Sequence, residues 1–560
     1  MRHRLSGVVM THPKRRQAAE ELALKAPPGA LRVVMDPDPT GTPSVLRTAL
    51  AAWDSIEDGA THHLVVQDDM SLSESFFERV RLAVDAMPDA ALALFALWDS
   101  RNGAAIRLGA MAGARWVGAV NEYFPCVAIV LPRAVAEGYV RYGRQRLGAW
   151  PDDILMHRFL RENAVPRYVS VPSLAEHQDR GSISGNAFRG PRRAVCFLPG
   201  DRPGDEGNRL TGLSVLPFYK RGVARCAVRV QEPGPEHWLH LDCDQYLRGL
   251  GLPPSLLVPP AGPERDAPDV RATWLTAVAL GHEAARLGLP DTAPGAAGRT
   301  EVYEEALATI GSGGISDTST EERIAERRGT LAALAHRAVT AGREAAGSAP
   351  VRRRPRDCPA PAVHGGPDPL REHLARRLAD LTGPETPEAT VDLTSLAEEV
   401  PDGPALRIEV AGDPVPYTLT LDELYGPGCS RHSRIGRMVW DALRSRPVTV
   451  EGDGEAEVYP VYVDDLADAV AAVLRVRPAA RTLTVADRKP LAVTALAQAV
   501  HASVRPVPVL AAPPPTTPAP GPRLTDAPRP PDWRPGTAPA KGLHAFAQWL
   551  AYEGTLLTTE

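Results

Sequence analysis

Short apolar segments and amphipathic helical segments alternate along the first third of this chain. Residues 5–13 form an apolar run that ends in turn residues, and the spacing in 16–22 predicts a helix after it. The same order recurs with a strand at 31–35, a helix at 45–53 and a strand at 63–66. Repeated strand and helix alternation predicts an α/β fold with a mostly parallel sheet.

The chain has 560 residues, more than one ordinary domain core holds, so we expect at least two domains. A loop rich in glycine, proline and acidic residues follows Cys196 and predicts a boundary. The predicted division is a first domain at 1–198, a linker at 199–219 and a second domain at 220–560. Within the second domain, a Pro/Arg-rich loop is predicted at 346–370 and a proline-rich interruption at 506–535.

Charge and cysteine content exclude several classes of protein. The formal net charge is −5, and no basic stripe interleaved with aromatic residues is present, so we expect no nucleic-acid partner. The six cysteines are scattered without a C-x-x-C pair, which argues against a disulfide framework or a zinc ribbon and fits a reducing cytoplasm. No stretch reaches the roughly 18 apolar residues of a membrane span, so we expect a cytoplasmic protein without a transmembrane segment.

An apolar strand runs directly into two adjacent carboxylates, Asp68 and Asp69. Hard divalent cations such as Mg²⁺ and Mn²⁺ prefer oxygen ligands and often bridge a carboxylate to the phosphates of a substrate. We therefore interpret the pair as candidate metal ligands at the mouth of the sheet. The alternative is that the two aspartates only cap a following helix.

Other polar residues also follow predicted strands, and ligands of parallel sheets bind outside the carboxyl ends of the strands. Thr11 and His12 end the first strand, and Asp36 ends the second, where a nucleotide base could be held. Ordinary turn chemistry in the Asp-Pro-Asp-Pro segment is the alternative for Asp36.

Two later segments add candidate groups. Asp152 and Asp153 follow Pro151 at the start of a predicted helix, so one carboxylate can cap the helix while the other acts as a general base. Capping alone is the alternative. His177 follows a short strand, where a neutral imidazole could complete a metal shell, although a lone histidine is more often structural.

Taken in this order and spacing, these segments resemble glycosyltransferases with the GT-A fold, nearest to the family 2-like inverting enzymes. The resemblance covers roughly residues 5–197. It implies a Rossmann-like first domain that binds a nucleotide-sugar donor through Thr11, His12, Asp36 and Asp68.

The same resemblance implies a metal-assisted reaction with an acceptor that the sequence does not identify. Asp69, Asp68 and His177 would hold Mn²⁺ or Mg²⁺, which stabilises the departing nucleoside diphosphate. Asp153 or Asp152 would remove the acceptor proton in a single, inverting displacement. The motif is Gln-Asp-Asp rather than Asp-x-Asp, which leaves open which oxygen binds the metal.

The second half resembles extended short-chain dehydrogenases, the NAD-dependent nucleotide-sugar epimerases and dehydratases. The matching segments are 424–428, 448–454 and 461–467, together with a helix at 269–287 that is similar to a central helix of that family. The resemblance implies a degenerate Rossmann-like domain after the first one.

The chemistry of that family is missing from the sequence. The G-x-x-G-x-x-G turn that holds the pyrophosphate of NAD does not occur in the expected place. No tyrosine has a lysine four residues later, and Val458 stands where the family carries an arginine for the substrate diphosphate. We therefore expect the second domain to be catalytically inactive and to hold no NAD(P).

Three hypotheses follow from these patterns. The first is a glycosyltransferase with an attached, inactive epimerase-like domain. The second is an NAD(P)-dependent nucleotide-sugar epimerase or dehydratase with an N-terminal accessory domain. In the third, the chain is a non-catalytic protein that binds nucleotide sugars, because resemblance in fold does not establish activity.

Overall fold

The structure is a computed structural model that divides into two compact units, Met1–Arg352 and Arg353–Glu560. It confirms the α/β class, with a large and mostly parallel sheet in the first unit. The described residues are 3–41, 44–147, 150–178, 190–230, 238–262, 264–290, 299–348, 361–382, 386–397, 404–452, 454–487, 489–513, 524 and 527–554.

The first unit combines a Rossmann-like layer with a group of helices. Its strands are β1 (Leu5–Thr11), β2 (Arg32–Met35), β3 (His62–Gln67), β4 (Met70–Leu72), β5 (Ala91–Ala93), β6 (Trp116–Gly118), β7 (Ala128–Pro132), β8 (Arg167–Ser170), β9 (Ala175–His177), β10 (Arg209–Leu210), β11 (Val215–Lys220), β12 (Val223–Arg229) and β13 (Trp238–Asp242). Its helices are α1 (Arg16–Lys25), α2 (Val45–Asp54), α3 (Phe76–Ala86), α4 (Arg101–Ala112), α5 (Arg133–Arg144), α6 (Asp152–Glu162), α7 (Cys243–Gly249), α8 (Pro268–Arg286), α9 (Arg299–Ile315) and α10 (Glu321–Ser348).

The central sheet has eight strands in the order β10-β6-β8-β5-β7-β3-β1-β2. Strands β2, β1, β3, β5 and β8 run in one direction, whereas β7, β6 and β10 run in the other. Strands β1 and β3 are buried along almost their whole length, which explains why they read as continuous apolar runs.

The register of β1 and β3 decides which side chains meet at the edge of the sheet. The two strands pair in parallel, with Leu5 opposite His62 and Met10 opposite Gln67. Residues that follow both strands therefore emerge side by side, at the edge where ligands of such sheets bind.

The segment 199–219, predicted as a linker, is instead built into the first unit. It contributes β10, which pairs with β6, and the start of β11. Glu206 is buried and receives hydrogen bonds from Arg79 Nε at 2.8 Å and from Trp116 Nε1 at 2.8 Å. These buried polar contacts fix the segment against the sheet. Its glycine-rich and acidic composition predicts a loop and gives no sign of them.

Helices α8, α9 and α10 also belong to the first unit, so the division between units lies at Arg352 and Arg353 instead of near residue 200. The fully buried Arg107 of α4 donates to Ala306 O on α9 at 2.9 Å, and Thr309 Oγ1 donates to Val195 O at 2.6 Å. The helix at 269–287, expected in the epimerase-like domain, is therefore part of the N-terminal unit.

Helices α8 and α10 approach each other backbone to backbone at two glycines. A Cβ atom on Gly281 would lie 2.1 Å from Val339 O, and one on Gly342 would lie 2.1 Å from Val278 O. We expect Gly281→Ala to lower the free energy of unfolding by about 1–3 kcal/mol, because overpacking outweighs the better helix propensity of alanine. Urea denaturation followed by circular dichroism measures the change.

Gly329→Ala on the same helix α10 is the matched control. A Cβ atom there would have no neighbour within 4 Å, so we expect a gain of about 0.5–1 kcal/mol from helix propensity alone. Equal effects of the two substitutions would contradict the close approach of α8 and α10.

The second unit is a smaller α/β body. Its strands are β14 (Ala362–His364), β15 (Ala389–Asp392), β16 (Ala405–Val410), β17 (Tyr417–Thr420), β18 (Glu423–Tyr425), β19 (Val448–Glu451), β20 (Glu457–Val458), β21 (Pro460–Tyr462), β22 (Thr482–Thr484), β23 (Leu491–Ala492) and β24 (Val509–Ala512). Its helices are α11 (Asp368–Leu381), α12 (Thr394–Ala397), α13 (Arg434–Leu443), α14 (Val463–Val476), α15 (Val493–Ser503) and α16 (Pro539–Trp549).

A five-stranded sheet with the order β14-β15-β16-β17-β22 forms the centre of this unit. Strand β16 runs antiparallel to both of its neighbours, so the sheet is mixed. The loop predicted at 346–370 is wrong at both ends, because α10 continues to Ser348 while β14 and the start of α11 lie within 362–370. Residues 349–360 lie outside the described residues. The proline-rich segment 506–535 contains β24, and 514–523 and 525–526 also lie outside the described residues.

The helices of the described residues lack the properties of a membrane span. Not one of them combines the length and the apolar character that crossing a bilayer requires.

Candidate functional site

Asp68 and Asp69 lie at the carboxyl end of β3, beside the end of β1. Strand β4 begins directly after them at Met70, whereas α3 begins only at Phe76. The two aspartates therefore do not cap a helix, and the alternative interpretation of the pair as helix caps is wrong. Thr11 Oγ1, at the end of β1, donates a hydrogen bond to Asp68 Oδ2.

Arg15 is the residue that joins the two carboxylates. Its Nη1 atom lies 3.1 Å from Asp68 Oδ1 and 3.0 Å from Asp69 Oδ2. The side chains of all three residues are largely buried, with 15%, 8% and 11% exposure in the order Arg15, Asp68, Asp69. Arg15 ends the short 3-10 turn Pro13–Arg15 after β1, so the same strand alignment that places Thr11 also places this guanidinium.

His177 reaches the same place from a distant part of the chain. Strand β9 pairs with β4 so that His177 lies opposite Met70, and Gln178 N donates to Asp69 O at 2.7 Å. As a result, His177 Nε2 lies 3.4 Å from Asp69 Oδ2. Thr11, Asp68, Asp69 and His177 are thus brought together.

The two aspartates respond differently to this environment. Burial raises the pKa of Asp68, and neither the hydrogen bond from Thr11 nor the Arg15 charge reverses the shift. Burial also acts to raise the pKa of Asp69, but His177 and Arg15 together lower it below its ordinary value. Among the described residues, the buried Oδ1 atom of Asp69 has no hydrogen-bond partner.

The donor set has the chemistry of a divalent metal site but not its arrangement. Two carboxylates and an imidazole suit Mn²⁺ or Mg²⁺, and Asp69 Oδ1 is an oxygen that a cation would satisfy. However, Arg15 Nη1 lies between the carboxylates, within 3.1 Å of one oxygen of each. In the described part of the chain, no group of three or more His, Cys, Asp or Glu side chains is arranged to hold a metal ion. The residues as placed do not fit the ion, and the metal requirement stays a prediction.

Asp36 and His12 lie near this cluster but are engaged elsewhere. Asp36 N donates to Thr11 O at 2.9 Å, while both Asp36 carboxylate oxygens receive hydrogen bonds of 2.8 Å from Arg47. The hydrogen bond from Arg47 lowers the pKa of Asp36. His12 Nδ1 accepts from Lys14 N at 3.2 Å, which caps the turn after β1. The nucleotide contacts expected of both residues stay predictions.

Asp152 and Asp153 begin α6 as expected, and they occupy different environments. Asp152 is buried, and its Oδ1 accepts a hydrogen bond of 2.5 Å from Tyr139 OH. Burial raises the pKa of Asp152 to about 7, and the neighbouring charge of Asp153 acts in the same direction. Asp153 is half-buried and its Oδ1 accepts from Ile154 N at 2.9 Å.

The segment 119–127 connects the start of α6 to the carboxylate pair. Val127 O accepts a hydrogen bond of 2.8 Å from Gln67 N, one residue before Asp68. Earlier in this segment, Phe124 N donates to Asp153 O at 3.1 Å. The start of α6 and the end of β3 are therefore both joined to this short segment, at the edge of the sheet where Asp68 and Asp69 emerge.

In the second unit, the motif residues that resemble the epimerases serve internal packing. Asp465 accepts hydrogen bonds from Gly536 N at 2.9 Å and from Thr537 Oγ1 at 3.1 Å. Asp464 Oδ1 lies 2.7 Å from His373 Nε2, which joins α14 to α11. Val458, which replaces the expected arginine, is buried in the hydrophobic core.

Sequence patterns missed three residues of this region: Arg15, Tyr139 and Cys126. The sequence could have indicated Arg15, because a basic residue in the turn after the first strand lies at the same edge as the acidic pair that ends the parallel neighbouring strand. Tyr139 and Cys126 carried none, since their contacts with Asp152 depend on how α5 and the segment 119–127 pack against α6.

Comparisons with known proteins give structural likenesses only. No protein-family model matches the chain, and no curated protein sequence matches it. Similar solved structures include UDP-glucose 4-epimerase of Thermotoga maritima with UDP-glucose, UDP-glucuronic acid 4-epimerase of Bacillus cereus with UDP-glucuronic acid and NAD, and dTDP-glucose 4,6-dehydratase of Bacillus anthracis with NAD.

Their sequence identities to this chain are 20%, 18% and 16%, with TM-scores of 0.20, 0.21 and 0.22. The matches cover 25%, 24% and 25% of this chain and 46%, 44% and 46% of the other chains. The chain thus spans less than half the length of each protein, and likenesses this low assign it no activity. By their names, the three are two nucleotide-sugar epimerases and one dehydratase, and none is a glycosyltransferase.

Proposed function

We propose that the Met1–Arg352 unit binds a nucleotide-activated sugar at the carboxyl edge of its central sheet and transfers the sugar to an acceptor hydroxyl. One observation carries the proposal. Arg15, the Asp68–Asp69 pair and His177 come from three separate parts of the sequence and meet at this edge, beside a buried carboxylate oxygen that has no hydrogen-bond partner among the described residues. Buried charges are costly to keep, and they concentrate at functional sites.

The cluster suits the leaving group of such a reaction. A departing nucleoside diphosphate gains negative charge as its bond to the anomeric carbon breaks, and a fixed guanidinium stabilises that charge electrostatically. The Asp68 and Asp69 carboxylates hold the Arg15 guanidinium in place before the reaction begins.

Asp152 is the stronger candidate for the base. A general base works best when its pKa lies near the working pH, and burial brings the pKa of Asp152 to about 7. In the proposed step, the Asp152 carboxylate takes the proton of the acceptor hydroxyl while that oxygen bonds to the anomeric carbon. The bond from this carbon to the phosphate oxygen breaks, and its electron pair leaves with the diphosphate, so the anomeric configuration inverts.

We expect Asp69→Ala to weaken nucleotide binding at least about tenfold, equivalent to about 1.4 kcal/mol, because Arg15 loses one of its two carboxylate partners. Thermal-shift titrations with UDP, GDP, dTDP and the matching nucleotide sugars measure the effect, with and without Mn²⁺. A ligand at 100 times its Kd stabilises the wild-type protein by about 2.7 kcal/mol, which such titrations resolve.

Asp54→Asn is the control, because it removes an exposed carboxylate that pairs only with the exposed Arg144 in the contacts of the described residues. It should leave nucleotide binding unchanged. The proposed function fails if none of these nucleotides stabilises the wild-type protein under either metal condition.

For the Arg353–Glu560 unit we propose a non-catalytic role in structure or docking. The observation in favour is that Asp464 and Asp465, the acidic residues of its epimerase-like motif, bind His373, Gly536 and Thr537 within the unit itself. NAD that copurifies with the full chain, seen by absorbance and fluorescence after denaturation, would instead favour the epimerase or dehydratase hypothesis.

A further inference from the structure

Three of the four carboxylate oxygens of the Asp68–Asp69 pair have a hydrogen-bond or ion-pair partner in the protein itself. Asp68 Oδ2 accepts from Thr11, and Asp68 Oδ1 lies 3.1 Å from Arg15 Nη1. Asp69 Oδ2 lies 3.0 Å from the same nitrogen and 3.4 Å from His177 Nε2. Only Asp69 Oδ1 lacks a hydrogen-bond partner among the described residues.

Arg15 takes the position between the carboxylates that a bridging cation would take. A divalent ion binds carboxylate oxygens at about 2.0–2.2 Å, closer than any hydrogen-bonded nitrogen. An ion that shared oxygens with both aspartates would therefore collide with Arg15 Nη1 and be repelled by its charge. The guanidinium is always protonated in proteins, so it cannot lose its charge to admit the ion.

Local structure holds Arg15 in this position. The short turn Pro13–Arg15 connects β1 directly to α1, and Arg15 N donates to His12 O at 2.8 Å. The opposite side of the site is fixed by the pairing of β4 with β9. Regular elements thus fix the backbone on both sides of the site, and the contacts with Asp68 and Asp69 hold the guanidinium between them.

We propose that Arg15 is the resident cation of the Asp68–Asp69 pair and replaces a divalent metal ion there. The pair then serves to orient the guanidinium toward a nucleoside diphosphate, whose binding does not depend on metal. The part of this inference that concerns the diphosphate rests on the proposed function, whereas the exclusion of metal does not.

Binding of Mn²⁺ alone tests the exclusion. The free-ion signal in electron paramagnetic resonance, recorded on the full-length protein, gives the Kd without any activity assay. We expect the wild-type chain to bind Mn²⁺ only in the millimolar range at this site. Arg15→Gln, which removes the charge, should bind one Mn²⁺ at least about tenfold more tightly, and Arg15→Gln with Asp69→Asn should lose that gain.

Two further variants control for charge and for local disturbance. Arg15→Lys keeps a cation and should gain no Mn²⁺ affinity. Arg16→Gln removes the adjacent arginine, which is exposed and pairs with Glu20 at 2.7 Å, and should also leave Mn²⁺ binding unchanged. Circular dichroism confirms that each variant is folded before its titration.

Several results would overturn the inference. Binding of one Mn²⁺ by the wild-type protein in the micromolar range would overturn the inference. This measurement needs no variant, so it decides the question even if Arg15→Gln fails to fold. A folded Arg15→Gln variant with no gain in affinity would show that Arg15 is not what keeps the ion out. For the diphosphate, UDP, GDP and dTDP are titrated in EDTA, and binding that appears only with Mn²⁺ would refute metal independence while leaving the proposed function intact.

Discussion

Replacing Asp152 by asparagine is expected to lower kcat for sugar transfer by roughly 10²–10⁴-fold, the usual contribution of a general base. The wild-type rate should rise with pH through an apparent pKa of about 7, because the base works only when ionised and burial raises its pKa to that value. The variant should lose this dependence. The assay follows release of nucleoside diphosphate from the nucleotide sugar that stabilises the protein.

The adjacent carboxylate provides the comparison. Asp153→Asn changes the same functional group one position later in α6, and we expect it to lower kcat by no more than about tenfold, well below a general-base effect. If Asp153→Asn costs more activity than Asp152→Asn, then Asp153 is the base and the assignment of Asp152 is wrong.

The raised pKa of Asp152 also predicts how stability changes with pH, and this needs no substrate. The folded state binds the proton with a pKa of about 7, whereas the ordinary value is 3.8, so the unfolded chain ionises first. The contribution of Asp152 to the free energy of unfolding is therefore full below about pH 4, falls as the pH rises, and is lost above about pH 7.

Since each unit of pKa shift corresponds to about 1.4 kcal/mol, Asp152→Asn should be more stable than the wild type by a few kcal/mol at pH 8. The two proteins should be nearly equal at pH 4. Urea titrations at both values measure the difference, and a constant offset at the two pH values would contradict the raised pKa.

Removing the buried guanidinium of Arg79 is expected to destabilise the first unit by about 3–5 kcal/mol, because its carboxylate partners stay behind in the interior. Arg79 is fully buried on α3, and its nitrogens lie 2.8 Å from Glu206 Oε1 and 2.9 Å from Asp201 Oδ2. Arg115 alone then balances both acids. Differential scanning calorimetry of Arg79→Met should show the melting transition of this unit lowered by roughly 5–15 °C.

Two companion variants make this prediction specific. Arg81→Met removes an exposed arginine from the same helix and should change stability by less than about 0.5 kcal/mol. Arg79→Met combined with Glu206→Gln removes the unpaired charge and should recover part of the loss. If Arg79→Met costs no more than Arg81→Met, the buried ion pairs do not hold segment 199–219 against the sheet.

Much of the first sheet could be predicted from sequence because its signals are local. Apolar runs of strand length, followed by turn residues, correspond to β1, β2 and β3 within one or two residues. Parallel neighbours end at the same edge, so the strand pattern alone is enough to place Thr11 close to the Asp68–Asp69 pair.

Domain boundaries were harder to predict because they depend on what each segment packs against. The polar composition of 199–219 resembles a linker, yet Glu206 is held by Arg79 and Trp116, which lie 127 and 90 positions earlier. Helix α8 has the pattern of any apolar helix, and its assignment to the first unit depends on its packing against α4, β11 and β12.

The sequence by itself determined the α/β class, the order of the first strands and helices, and the edge at which Asp68 and Asp69 emerge, because periodicity and turn chemistry act over a few residues. Only the tertiary structure decided the partners of those groups. Arg15 lies between the two carboxylates, Arg47 neutralises Asp36, and His177 arrives through the pairing of β9 with β4. Side-chain direction, burial and charge pairing between distant segments arise only when the chain is packed, and they determine whether this acidic pair binds a metal ion or a guanidinium.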